Sequence, residues 1–359
     1  MAGKSIPYTS ALVEKTYRQG VIMEAERSCF AMTLRGNNER SIFGTEDRPG
    51  NGRGDKVEVR YGAVLDEAPK TRTSQVLGQE ASTPNYTDEV QIRYFLFDAA
   101  VENVIVDPEM VSFDLFDQER SRVAVQWAYN WEKSVLNQVA GVTHKNTAAD
   151  YGLSGGNIVT AQDANSWFSP NGSANDAAVA ADNTDLMTAE FLDDLVLRAE
   201  SKVYRRWPLV PPDTPYGPLF VVIMHGVGFK QLRQTFSGSQ VYDLHRAAIE
   251  GGNDYDSNPI LTGQGFIYNK CLVLRSDFCP RGDTGGAEQA NTFRGVFLGA
   301  QAGSFVFGNG FTGGNHLGYS EHMQHRRWSC LADTFYGFKR SIVEGESWGS
   351  MAFSHYSPV

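Results

Sequence analysis

The chain has 359 residues, 41% hydrophobic and 21% charged, with a formal net charge of -10. This is a globular composition, long enough for one large or two ordinary domains, and it excludes a disordered tail, a collagen and a small disulfide scaffold. The acidic balance argues against tight nucleic-acid binding, which needs a concentrated basic face, and suits a protein that stays soluble beside nucleic acid without adhering to it.

The start, MAGKSIPYTS, has no apolar core after its lysine and does not read as a signal peptide. The first periodic segment is Ser10 to Leu34. Leu12, Val13, Tyr17 and Val21 recur at helical spacing, and Glu14, Lys15, Arg18, Glu24, Glu26 and Arg27 fill the gaps. It reads either as an amphipathic helix or as a peripheral arm. Lys56 to Tyr61 then alternates strictly, as a half-buried strand does, and Glu89 to Asp98 alternates again through Val90, Ile92, Tyr94 and Leu96. Between them lie about 27 residues, Gly62 to Asp88, rich in Thr, Gln, Ser, Gly and Pro, which is long for a connection inside a compact domain. A two-stranded arm leaving its own domain accounts for it. Such an arm is unstable alone in water and must lie on a partner; a mobile hairpin loop is the other reading.

The strongest helix spans Gln118 to Ala140, with Asp117 as the expected N-cap and Gly141 at the stop. Val123, Trp127, Trp131, Val135 and Val139 form one apolar stripe along it. From Lys145 to Glu200 acidic residues predominate, and the Ala, Asn, Asp, Ser and Gly of Asn171 to Asp185 predict a solvated loop. A second helix is expected over Thr188 to Lys202, with Phe191, Leu192, Leu195 and Val196 inward and Thr188 as cap. After the proline run Pro208 to Pro218 come a buried strand, Leu219 to Met224, and a helix near Gly228 to Thr235. Further strands are expected at Gly265 to Ile267, Cys271 to Arg275, Thr292 to Leu298 and Ser304 to Phe307. Alternation resumes at Phe335 to Val343 and Trp348 to Phe353. The most apolar run is too short to span a bilayer. No internal repeat is visible, and the total is a mixed α+β chain.

No constellation of chemistry emerges. Cys29, Cys271, Cys279 and Cys330 are too few and scattered for a disulfide framework or a zinc ribbon. His316, His322 and His325 cluster, with Glu321 and Cys330 nearest, but neither an HExxH nor a Cys-x-x-Cys pair accompanies them, so they read as solvent-facing or interface histidines. Asp243 and His245 are adjacent without a strained serine turn of the G-x-S-x-G kind. Gly226-Val227-Gly228 and Gly263-Gln264-Gly265 do not extend to a phosphate-binding pattern. Asp193 and Asp194 point about 100° apart on a helix and cannot share a site. Arg53-Gly54-Asp55 and Arg281-Gly282-Asp283 are expected in Gly-rich turns for backbone reasons. No catalytic residue, cofactor site or metal site is expected.

The order of elements is polar N-terminal arm, two-stranded excursion, long helix, α/β middle and short β return. It resembles the HK97-type fold of tailed-phage capsid proteins. The stretches GDKVEVRYGAVLDE, YTDEVQIRYFLFDAAVE and QERSRVAVQWAYNWEKSVLNQVAG resemble major capsid proteins of phages with short tails. The closing run FYGFKRSIVEGESWGSMAFSHY does so too, and the match is weakest from Lys145 to Asp185. The resemblance implies an α+β, HK97-like fold with an N-arm (1–50), an E-loop hairpin (51–98) and a P-domain spine helix (99–145). An A-domain with connecting segments (146–325) and return strands to the P-domain (326–359) complete it. It implies a non-enzymatic major capsid protein, located in the virion and assembled in the host bacterial cytoplasm. Hexamers and pentamers of the chain would build an icosahedral shell around double-stranded DNA, held non-specifically. Portal, scaffolding and decoration proteins are the other implied partners, with no membrane and no cofactor. An encapsulin-type compartment shell shares the fold and is the alternative.

Overall fold

Large apolar side chains at helical spacing can serve two sheets at once only if the helix lies where both meet, and the architecture is built on that constraint. The computed structural model describes residues 30–47, 56–62, 85–101, 115–145, 157–181, 183–214, 217–235, 265–308, 318–324 and 327–358. A one-turn helix α1 (Phe30–Thr33) precedes β1 (Arg35–Gly36) and β2 (Phe43–Asp47). The hairpin strands β3 (Lys56–Gly62) and β4 (Asn85–Gln91) are followed by β5 (Arg93–Val101) and the long helix α2 (Leu115–Ala140). Then come β6 (Trp167–Phe168), α3 (Asp176–Ala181), α4 (Ala189–Glu200), β7 (Asp213–Thr214), β8 (Gly217–Pro218), β9 (Phe220–Met224) and α5 (Gly226–Thr235). The central strands are β10 (Gly265–Tyr268), β11 (Cys271–Arg275), β12 (Arg281–Thr284), β13 (Ala287–Leu298) and β14 (Gly303–Phe307). The last are β15 (Gly318–Gln324), β16 (Arg327–Arg340), β17 (Ile342–Val343), β18 (Glu346–Ser347) and β19 (Ser350–Tyr356).

One sheet has the order β1-β2-β14-β16-β15, with β5 on the free edge of β16. Tyr336 of β16 pairs Phe307 on one side and Arg93 on the other, so this strand is the sheet's axis. The second sheet runs β10-β11-β9-β13-β19-β6, with β12 also on β13. Its strand β9 is a continuous apolar run, FVVIM, and every residue is buried. That pattern belongs to a strand covered on both faces. Val221 and Ile223 face the core containing α2, whereas Phe220, Val222 and Met224 face the one containing α4 and α5.

The expected stripe of α2 lies in that first core, where Trp127 and Trp131 pack beside Tyr336 of β16. The helix is 26 residues long, about 39 Å at its usual rise. It begins at Leu115 and not at an Asp117 cap. Phe116 packs edge-on against Trp328, and Asp117 lies within the helix, in its first described turn, paired with Arg120. A carboxylate there still suits the helix dipole. At α4 the expected cap holds, with Thr188 Oγ1 accepting from Phe191 N at 3.2 Å. Of the expected Ser10–Leu34 segment, only its end, with α1, lies among the described residues.

Two expectations fail for instructive reasons. The alternation of Glu89 to Asp98 is one run in sequence but two strands in space, β4 and β5, which change partners at Ile92. The Asn171–Asp185 stretch is not a solvated loop. It holds α3, and Asp176 and Asp185 are both buried. Asp185 accepts from Asn171 N and Ser173 Oγ.

Asp176 serves the far end of the spine. Gly141, at φ +68°, closes α2 with a paired-bond stop, Val142 N donating to Asn137 O and Gly141 N to Gln138 O. A Cβ at Gly141 would lie 2.9 Å from the Arg340 guanidinium and from Gln162. The remaining carbonyls are buried and need donors. Gln162 Nε2 donates to Val139 O, and Arg294 supplies the rest, Nη1 donating to Ala140 O at 3.0 Å and Gly141 O at 2.9 Å while Nε donates to Asp176 Oδ2 at 2.7 Å. Asp176→Ala leaves Arg294 as a buried charge without its counterion. It is expected to cost about 3–5 kcal/mol in urea unfolding of the subunit. Asp176→Ala combined with Arg294→Met should cost less than the sum of the single changes.

Candidate functional site

The hairpin β3–β4 pairs Lys56 with Gln91 through to Gly62 with Asn85 and has no strand partner besides itself among the described residues. The described ladder is nonetheless bound to the body along its length. Val59, Tyr61, Val90 and Ile92 form a small third core with Val306 and Val343. Tyr61 Oη donates to Ser341 Oγ at 2.8 Å, and Lys339 Nζ reaches both Asp88 and the Glu89 carbonyl. Tyr86, Trp207, Trp348 and Tyr61 pack as a chain of tilted and edge-on rings with centroids 5.3–5.8 Å apart. The buried Asn157 bridges Gln91 to Phe338 O of β16. No sequence signal marked Asn157. The other expected arm feature, the connection between β3 and β4, lies outside the described residues.

A second cluster surrounds the end of α2. Asp283 Oδ2 accepts from Thr143 N at 2.6 Å and from Thr143 Oγ1 at 2.5 Å, and Asp283 Oδ1 accepts from Gly286 N at 3.1 Å. Burial alone would raise the Asp283 pKa, but the two bonds from Thr143 and the charge of Arg294 outweigh it and hold the carboxyl below its ordinary value. Arg281-Gly282-Asp283 is thus part of strand β12 and not a presented turn. Gly282 lies against Asp176, and the Asp283 side chain is committed inside. The other triplet, Arg53-Gly54-Asp55, is outside the described residues. Two nearby buried polar groups are Arg205 and Arg340. Arg205 Nη1 donates to Ser166 Oγ and Arg340 Nη2 to Thr160 O and Ala161 O. Burial lowers both guanidinium pKa values to about 10, so both stay cationic at neutral pH.

The residues weighed for chemistry are not brought together. His322 is exposed on β15, while His316, His325, Asp243, His245 and Cys29 lie outside the described residues. No group of three His, Cys, Asp or Glu is placed to hold a metal among the described residues. Cys271 and Cys330 are buried, and burial pushes their thiols up to about 12 and about 11; Cys279 is pushed up as well. Thiols so protonated are poor nucleophiles. Asp193 accepts from Tyr268 Oη and Asn269 Nδ2 as a surface hydrogen-bond acceptor. No described helix is long and apolar enough to cross a membrane.

The model of the family described as phage capsid protein matches residues 5–346. This chain belongs to the phage capsid protein family. No curated protein matches it. Among solved structures, the capsid of Ralstonia phage GP4 is similar over 92% of this chain and 91% of its own, at TM-score 0.76 and 17% identity. The cyanophage Pam1 capsid subunit is similar over 90% and 91%, at 0.66 and 16%. The head of Helicobacter pylori bacteriophage KHP40 is similar over 91% of each chain, at 0.61 and 10%. At such identities the likeness concerns the fold, and it bears out the α+β, HK97-like class expected from the order of elements. The chain is a major capsid protein that forms the shell.

A capsid subunit must hold its shape through changes of medium, and one buried group limits this one. His355 of β19 is fully buried beneath Gly228, and neither ring nitrogen has a hydrogen-bond partner among the described residues. Burial, then the neighbouring His225, lowers its pKa from 6.5 to about 3. Below pH about 6.5 the unfolded chain takes up a proton there that the folded subunit refuses until about 3, so stability falls across that window. The change His355→Leu conserves volume and removes the titration. Urea midpoints measured from pH 7 down to pH 4 are expected to fall less steeply in this variant than in the parent, with the difference opening below pH about 6.5.

Proposed function

We propose that this capsid protein assembles as hexamers and pentamers into an icosahedral shell around the double-stranded DNA of a short-tailed phage. The observation that carries the reading is the hairpin β3–β4, whose strands sit on the third core of the subunit and have no strand partner besides each other among the described residues. A two-stranded ribbon gains its stability from what it lies on, and in an assembly that partner is a neighbouring copy. Heterologous contacts repeated around symmetry axes close such a surface into a shell. The division into N-arm (1–50), E-loop (51–98), spine helix (99–145), A-domain (146–325) and return strands (326–359) belongs to this reading. So do HK97-type organisation, assembly in the host bacterial cytoplasm, and portal, scaffolding or decoration proteins as partners. The net charge of -10 favours loose, non-specific contact with packaged DNA.

The test is negative-stain electron microscopy of the recombinant full chain, with size-exclusion chromatography alongside. Closed polyhedra, tubes, or free hexamers and pentamers are expected. Deleting residues 63–84 is expected to abolish them while leaving a folded subunit. A parent chain that stays monomeric at every concentration, with and without a scaffold, sinks the reading. Co-purification of a cargo enzyme instead of DNA would assign the shell to an encapsulin-type compartment.

A further inference from the structure

Where β4 becomes β5, the backbone changes partners within one residue. Gln91 is the last residue of the β3 ladder, opposite Lys56, and Arg93 is the first of the β16 ladder, opposite Tyr336. Asn157, 7% exposed, fills this junction. Its Oδ1 accepts from Gln91 N at 2.8 Å, and its Nδ2 donates to Gln91 O and to Phe338 O, each at 3.1 Å. One carboxamide therefore stands in for a strand at Gln91 and ties it to β16. The junction has no slack. A Cβ at Gly337 would lie 2.1 Å from Gln91 O, so backbone meets backbone there with no side chain between. Lys339, two residues on, holds Asp88 and the Glu89 carbonyl on the same side of the arm.

We propose that Asn157 is a positioning residue for shell assembly, its carboxamide setting the direction in which the arm leaves the body. This rests on the reading of β3–β4 as an intersubunit arm. The far end of the ladder is held separately, by the Tyr61–Ser341 hydrogen bond and the packing of Tyr86 on Trp207, so Asn157 fixes the end at which β4 passes into β5. The arm's contacts on a neighbour, and through them the curvature of the shell, follow from how both ends of the ladder are fixed, and Asn157 sets the one at Gln91.

The test uses the full chain in three variants. Asn157→Ala removes the bridge, Lys339→Ala loosens the same junction from the solvent side, and Leu195→Ala truncates the second core far from the arm. Each is scored for thermal midpoint as a subunit and for the diameter distribution of its particles. Loss of one buried set of hydrogen bonds is expected to reduce particles of parental diameter about tenfold in Asn157→Ala, in favour of open or aberrant forms. Lys339→Ala is expected to shift the distribution in the same direction, which covers the case of an Asn157→Ala subunit that does not fold. Leu195→Ala is expected to lower the midpoint and leave the diameter unchanged. Parental particles from both Asn157→Ala and Lys339→Ala overturn the inference alone, as does an aberrant distribution from Leu195→Ala matching theirs. A parent chain that makes no particle overturns the arm reading itself.

Discussion

A long helix that ends inside a protein presents a row of unpaired carbonyls and a partial negative charge where water cannot reach them. The rest of this structure depends on how that end is satisfied. Gly141 turns the chain and the paired bonds behind it close two carbonyls; Gln162 covers the next, Val139 O, and Arg294 those of Ala140 and Gly141. Arg294 belongs to β13, in the seven-stranded sheet, and Arg340, packed against Gly141, belongs to β16, in the other. The helix end is therefore the point at which the two sheets are fixed to each other. A buried guanidinium is tolerable only with a counterion and filled hydrogen bonds, because desolvation of an unpaired ion costs several kcal/mol. That requirement places Asp176, and with it α3, against β12 and β13.

The same logic of a polar group satisfied at a junction recurs at smaller scale. Glu132 on α2 accepts from Ala31 N at the start of α1 and from Ser276 Oγ after β11, joining three elements across the buried side of the spine. Asn157 does so for the hairpin β3–β4. Apolar contacts determine which surfaces meet but are nearly indifferent to small rotations. Directional bonds at the ends of elements supply the angle.

This division explains what was legible beforehand. Burial patterns are local, so the stripe from Val123 to Val139, the run Phe220–Met224 and the alternation Lys56–Tyr61 all read correctly. So did the Thr188 cap and the Gly141 stop, which depend on neighbours within one turn. What failed depended on distant partners. The acidic stretch looked solvated because the cation that buries Asp176 is 118 positions away. The one visible hint was Arg294 itself, a charge inside the apolar run Phe293–Leu298, where a charge implies a counterion somewhere. The β4–β5 switch was invisible because alternation continues through Ile92 unbroken while the partner changes. Asn157 had no local signal at all, since its role exists only once Gln91 and Phe338 are adjacent.

The distribution of titratable groups then has a simple interpretation. In an enzyme, buried polar residues converge on a cavity where a substrate can meet them. Here Arg205, Arg294, Arg340, Asp176, Asp283 and Glu132 converge on backbone groups of the chain itself, and the three described thiols are held protonated within cores. Such groups make the angles between helix, sheets and hairpin hard to change. A subunit repeated around symmetry axes needs this property above others. An angular error that one molecule would absorb is repeated at every contact, and a shell closes only when the repeated angle is correct.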